Sequence, residues 1–302
     1  MNRAGPPVRL LDAFDDYKAT YMASRNMAPR TRVEYGRDIG DLVQFLQDAS
    51  RLDDPKAVEL KHLEHYLAEL DRRGLSGSSR RRRAAAIRSF FSFLEDHSYV
   101  PLNIATRLRP PGRTEREPRV LSEAEYRRLQ DASRFHPRDQ AIIELFLQTG
   151  MRLSELARLR VSDVSLPARV GKEKDGAGSV LVMGKGAKER TITVNWKASK
   201  AVKSYLATRP EITTEALFIS KFGESMGPRA IQDVVKKYLR EAGIENASVH
   251  TLRHTFGTHQ VKKGTNLRVV QEAMGHADLK TTSVYVHLAR EQMDEQLQAN
   301  AL

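Results

Sequence analysis

One stretch divides this chain before any helix or strand is assigned. Residues 107–120 read RLRPPGRTEREPRV, with three prolines and no apolar periodicity. Proline removes a backbone donor and restrains the residue before it, so the run continues neither a helix nor a sheet. It reads as an extended basic linker between two folded parts. A length of 302 residues suits that division, since single domains usually hold about 100–200.

Upstream of the linker, apolar residues recur four times at helical spacing. The stripes are Leu10/Leu11, Phe14, Tyr17 and Tyr21; Tyr35, Ile39, Leu42/Val43 and Leu46; Leu60, Leu63, Leu67 and Leu70; and Ile87, Phe90/Phe91 and Leu94. Four amphipathic helices can bury one small core, which predicts a helical bundle. The fourth opens GLSGSSRRRRAAAIRSFF, with Ser78 or Ser79 as N-cap and Arg80, Arg81, Arg82 and Arg83 in its first turn. Cations there oppose the helix macrodipole, by roughly 0.3–1 kcal/mol each when exposed. A phosphate at the helix start would explain them, because the arginines and the free N–H groups would meet the same anion. A solvated charge run is the plain alternative. Pro29-Arg30-Thr31-Arg32 opens the second helix in a similar way, which adds Arg30 and Thr31 as candidate phosphate contacts.

Downstream, LSEAEYRRL fits a capping box between Ser122 and Glu125. SVLVMGKGAKERTITVN carries two β-branched runs joined at Gly184–Lys188, which predicts a hairpin. Helical patterns follow at about 197–207, 227–242, 251–263, 267–274 and 281–298. The second part is therefore mainly α with a small antiparallel β-sheet.

Charge points to a partner. Fifty Lys and Arg against 38 Asp and Glu leave a formal charge of +12, which favours polyanions and says little about fold. Nucleic acid comes first, because phosphate neutralisation supplies most non-specific binding. An acidic membrane surface competes, but no apolar run approaches the roughly 20 residues of a span, and MNRAGPPVRLLDAFDDY lacks the apolar core of a secretory signal. With no cysteine, disulfides, thiolate metal sites and a cysteine nucleophile are excluded.

VHTLRHTFGTH, residues 249–259, has the spacing of a zinc helix in His250 and His254. Thr251 stands where H-E-x-x-H needs its glutamate, and Arg253 would put a fixed cation within a turn of the metal. An anion site fits better. His250 and Arg253 are three apart and share a helix face; arginine offers a planar fork for phosphate, and histidine moves a proton near neutral pH. LQTGMRLSELARL sets Arg152 beyond a helix break at Gly150, with Glu155 three residues on as a carboxylate able to orient it. Lys185 sits in the turn GKGAK, where it could act as a mobile proton donor. In AMGHADLKTTSVYVHL, His276 follows a helix stop at Gly275 and Tyr285 comes nine residues later. Tyrosine, with a pKa near about 10, attacks only when its proton is taken or its phenolate stabilised. Each residue alone has a plain alternative: a surface salt bridge for Arg152 and Glu155, a turn lysine, packed histidines, a core tyrosine.

As an ordered series these segments resemble the tyrosine recombinase (phage integrase-like) family, especially its compact Xer-like members. TGMRLSEL looks like the first arginine motif, GKGAKER the hairpin lysine motif, HTLRHTFGTH the His-x-x-Arg motif, and MGHADLKTTSVYVH the terminal His…Tyr motif. The resemblance implies a helical core-binding domain over 1–106, the linker over 107–120 and a mixed α/β catalytic domain over 121–302. It implies that Tyr285 attacks a DNA phosphate to form a 3′-phosphotyrosyl link, with Arg152 and Arg253 on the non-bridging oxygens and His276 assisting. His250 would accept or relay the tyrosine proton, Lys185 would protonate the leaving 5′-oxygen, and Glu155 would support the site.

The expected activity is site-specific recombination through a Holliday junction, in dimer resolution or in mobile-element integration and excision. It needs no metal, ATP or other cofactor. The expected partners are double-stranded DNA carrying a recombination site and a homotetramer spanning two such sites, with or without a partner recombinase, in the cytoplasm on the nucleoid. The amphipathic tail AREQMDEQLQANAL resembles a segment that docks on a neighbouring protomer. Met274 replaces a common leucine before Gly-His, and PARVGKEKDGAG, residues 167–178, is longer and more polar than compact members carry. A type IB topoisomerase and a non-catalytic DNA-binding module are the competing readings.

Overall fold

A computed structural model describes residues 8–112, 117–170, 177–184, 189–275 and 285. The chain divides into two compact units, Met1–Glu115 and Arg116–Leu302, so the division falls inside the proline-rich stretch.

In the first unit the four apolar stripes each become helix. The first spans α1 (Leu10–Asp16), a π-helical turn (Tyr17–Tyr21) and α2 (Met22–Ser24); the others are α3 (Pro29–Ser50), α4 (Leu60–Arg72) and α5 (Gly77–Asp96). Their apolar faces close one core, in which Tyr17 meets Phe90 and Phe93 at ring-centroid distances of 5.2 and 5.5 Å. The start of α5 differs from the sequence expectation. Ser76, not Ser78 or Ser79, is the N-cap and accepts from the Ser79 N–H at 3.3 Å. The arginine run therefore begins after the first turn.

Each of its four members has a partner. Arg80 pairs with Asp71 at 2.8 Å, and Arg81 donates to the Gly112 carbonyl at 2.6 Å. Arg82 reaches Glu34 at 3.1 Å and also Asp38. Arg83 is turned inward onto Asp38, Asp41 and the Tyr66 hydroxyl, with only 14% of its side chain exposed. Arg30, by contrast, is exposed.

The second unit is organised around α7 (Pro137–Thr149), of whose 13 residues nine are buried. A helix apolar nearly all round belongs in an interior. Around it pack α6 (Glu123–Ser133), α9 (Trp196–Thr208), α10 (Pro228–Glu241) and α11 (Val249–Lys262). The capping box on α6 forms as read, Ser122 accepting from the Glu125 N–H and Glu125 from the Ser122 N–H. A three-stranded antiparallel sheet in the order β1 (Val164–Ser165), β2 (Gly178–Met183) and β3 (Glu189–Val194) completes the layer. Val180 and Val182 on β2 and Ile192 and Val194 on β3 face the core, the period-two pattern of a half-buried sheet. Val182 pairs with Arg190, which sets that arginine at the start of β3.

Two helix ends that turn through left-handed glycines matter below. Gly150 closes α7 at φ 60°, and Gly275 closes α12 (Leu267–Met274) at φ 67°. At Gly150 a Cβ would lie 2.4 Å from the Phe256 ring. Gly150→Ala should therefore lower stability by about 2–5 kcal/mol, combining overpacking of roughly 1–3 with left-handed strain of roughly 1–2; urea denaturation of the full chain reads this directly.

Candidate active site

Arg152 follows the Gly150 corner and caps α8 (Leu153–Leu156). Its backbone N–H donates to Glu155 Oε2 at 2.8 Å and its guanidinium to Glu155 Oε1 at 2.7 Å. The surface salt bridge that the sequence allowed is thus a buried one, for only 3% of the Glu155 side chain is exposed. A second arginine, Arg190, approaches the same carboxylate from β3 and binds it through two bonds of 2.9 Å. Burial would lift the Glu155 carboxyl, but bonds from Arg190 and from Arg152 outweigh it and hold the group at about 2. The carboxylate stays charged throughout the neutral range.

Arg253 comes from the middle of α11 and is 7% exposed. It donates to the Gly150 carbonyl and, at 2.8 Å, to the Met274 carbonyl. Arg152 in turn donates to the Gly275 carbonyl. Helix C-termini leave carbonyls without intrahelical partners and carry partial negative charge. The ends of α7 and α12 therefore hold these guanidiniums in place of further carboxylates. Burial, and then the charge of Arg152, depress Arg253 to about 10, so it remains a cation near neutral pH.

Among the described residues, two arginines thus bind one carboxylate and a third, Arg253, is held nearby by backbone carbonyls. The excess of positive charge is presented by Arg152, whose side chain is 37% exposed. Among the described residues no three His, Asp or Glu side chains gather as a metal site.

Tyr285 lies 1% exposed in a small apolar cluster with Phe256, Val261, Val270 and Met274. Its ring rests on Gly257, where a Cβ would come within 2.7–2.9 Å of ring carbons. Its hydroxyl stands 3.1 Å from His254 Nδ1. Burial raises the phenol, and the Arg253 charge opposes that rise. Burial, then His250, then Arg253 lower His254, which keeps its imidazole neutral at the neutral end of the scale.

The structure places the two histidines of α11 differently. His254, which the sequence offered only as half of a zinc-like spacing, is the histidine on the tyrosine hydroxyl. His250 sits exposed at the start of α11. Arg190 and Gly257 were not singled out from sequence at all. Arg190 closes the quoted GKGAKER, and Gly257 is a lone glycine inside a helical pattern; both signals were visible without a partner to interpret them. Lys185, His276, residues 171–176 of the polar insert and the tail from Ala289 lie outside the described residues, as does all of the 281–298 helical pattern except Tyr285.

Comparison with known proteins decides the family. Residues 119–292 match the phage integrase family, and residues 14–97 match the phage integrase N-terminal SAM-like domain. The chain belongs to the phage integrase family. It is a site-specific DNA recombinase of the tyrosine type. It is similar to a tyrosine recombinase XerC of Pseudomonas syringae pv. tomato, at 34% identity over 91% of each chain. A XerC of Pelobacter propionicus is 33% identical over 95% of this chain and 94% of its own. In fold, this integrase-family chain resembles XerH bound to a palindromic difH substrate, with TM-score 0.76 and 21% identity over 94% of this chain and 83% of that one. A lambda integrase tetramer bound to a Holliday junction gives TM-score 0.75 and 16% identity over 93% and 78%.

The Gly257 cradle yields a test. Gly257→Ala should push the Tyr285 ring out of its slot, with a stability loss of about 1–3 kcal/mol from overpacking. Nitration of Tyr285 by tetranitromethane, followed by peptide mass spectrometry, should rise above that of the unaltered protein.

Proposed function

We propose that Arg152 and Arg253, held at the Gly150 and Gly275 corners beside Glu155, are the binding site for a scissile DNA phosphate, and that Tyr285 is the nucleophile. The gathering of three guanidiniums with a single carboxylate to balance them, near a tyrosine hydroxyl, carries the reading. A phosphodiester brings the missing negative charge. Arg152 and Arg253 bind its non-bridging oxygens through charge-assisted bonds that strengthen as charge builds in the transition state. Tyr285 leaves its cradle, attacks phosphorus and forms a 3′-phosphotyrosyl bond while the P–O5′ bond breaks. Following the family pattern, Lys185 delivers the proton to the leaving 5′-oxygen, His276 supports the phosphate, and His250 accepts or relays the tyrosine proton. Glu155 orients Arg152 and does not touch DNA. The covalent bond conserves the phosphodiester's energy, so strand joining reverses the same step without ATP or metal.

The family relation supports recombination through a Holliday junction by four copies on two sites, in dimer resolution or in element integration and excision. We place the protein in the cytoplasm, on the nucleoid, where such DNA lies. Arg30, Thr31, Arg80, Arg81 and Arg82 form the proposed backbone contacts of the N-terminal unit. Arg83, drawn inward by Asp38 and Asp41, supports them from within.

A random-fragment DNA library mixed with the protein should yield covalent complexes, and sequencing of the linked 3′ ends identifies the site. A nicked duplex carrying that site should then trap the protein. Tyr285→Phe should abolish trapping while leaving DNA binding, and Arg253→Lys should slow it on the order of 10²-fold or more. Trapping should persist in EDTA. Unchanged trapping by Tyr285→Phe overturns the mechanism.

Replacing Arg80, Arg81 and Arg82 together by alanine, with Arg83 retained, should flatten the salt dependence of DNA binding. Each lost phosphate contact removes about 0.9 from the log–log slope.

A further inference from the structure

Arg190 joins Glu155 to the end of α12. It is the second residue of β3. Its guanidinium binds both oxygens of Glu155, and each of those oxygens accepts one further bond from Arg152. Arg190 also donates to the carbonyls of Ala273 and Met274 at 3.4 Å each. Met274 offers the same carbonyl to Arg253. A guanidinium has five N–H donors, and those contacts occupy at least four. With 18% of its side chain exposed, Arg190 has little left to offer a ligand.

The Gly275 corner is shaped to this side chain. A Cβ there would lie 2.7 Å from Arg190 Cζ, so the glycine that ends α12 also admits the guanidinium. Hairpin, α8 cap and α12 end therefore meet at one residue.

We infer that Arg190 is a positioning residue: it locks Glu155, and through it Arg152, against the end of α12, so that the phosphate-binding arginines are aligned before DNA arrives. The inference rests on the phosphate-site reading above. Charged groups face Glu155 from three elements: Arg152 at α8, Arg190 on β3 and Arg253 on α11. Among them the Arg190 side-chain bonds are the strongest single stabilisation of the charged carboxylate, ahead of each bond from Arg152. Removing it raises the carboxyl, which then takes up a proton on mild acidification and releases Arg152. The loss of activity must therefore deepen as pH falls.

The test uses the full chain and the nicked duplex recovered from trapped ends, with single-turnover cleavage, DNA affinity and thermal melting measured in parallel. Arg190→Gln should bind DNA normally but cleave on the order of 10²-fold more slowly, the effect of a small misplacement in a site of this kind. Its rate relative to the unaltered protein should drop further between about pH 8 and about pH 5, as the Glu155 carboxyl protonates. Arg190→Lys, which retains charge but not the bidentate fork, should recover part of the rate and most of the acid tolerance. A pH-independent deficit, an unaltered rate, or DNA affinity lost together with melting temperature overturns the inference. If Arg190→Gln does not fold, Arg190→Lys decides: a full rate at every pH overturns the inference, and a partial rate that worsens in acid supports it. Failure of the unaltered protein to form a Tyr285-dependent covalent complex would instead reject the phosphate-site reading itself.

Discussion

The site depends on a charge balance struck inside the protein. Guanidiniums repel one another, and burying three of them together is costly unless each is paired and hydrogen-bonded. One carboxylate, Glu155, meets two of them. Backbone carbonyls at the ends of α7 and α12 meet the rest. Those partial charges hold the arginines in place but do not neutralise them. The protein thus keeps a positive site that an additional aspartate or glutamate would have cancelled.

That economy explains the glycines. Both carbonyl-bearing helix ends turn through left-handed residues, and both lie against a large side chain: Phe256 at Gly150 and Arg190 at Gly275. A third glycine, Gly257, gives the tyrosine ring its resting place. None of the three has a side chain, yet each sets the approach of one that matters to the site. The same helix, α11, carries Arg253 and His254 as adjacent residues, with one directed to the anion site and the other to the tyrosine hydroxyl.

Much of this was legible from the sequence, and what was not has physical reasons. The bundle helices showed themselves because each has one wet and one dry face, and the capping box at Ser122 was a purely local signal. The helix α7, central to the second unit, had no place among the periodic patterns because it is apolar almost all round. β1 is two residues long and exists only by pairing with β2. The arginine run seemed to open α5 because Ser78 and Ser79 look like caps, whereas Ser76 takes that place and shifts the register. Arg83 gave no sign of facing inward, since Asp38 and Asp41 lie 45 and 42 residues away in sequence. In the same way His254 and His250 could not be ranked without knowing where Tyr285 packs. Spacing within one helix says which residues share a face, but not what stands opposite.

The distances along the chain have one more consequence. Arg152 finds its carbonyl acceptor 123 residues later, at Gly275, and Arg253 finds one 103 residues earlier, at Gly150. During synthesis, the arginine pocket cannot be assembled until α12 has emerged, and the tyrosine follows last of all. With Tyr285 in its proposed role, a ribosome-bound or prematurely terminated chain that stops short of it has nothing with which to cut DNA. The order of the segments is itself a safeguard for the DNA on which the finished protein works.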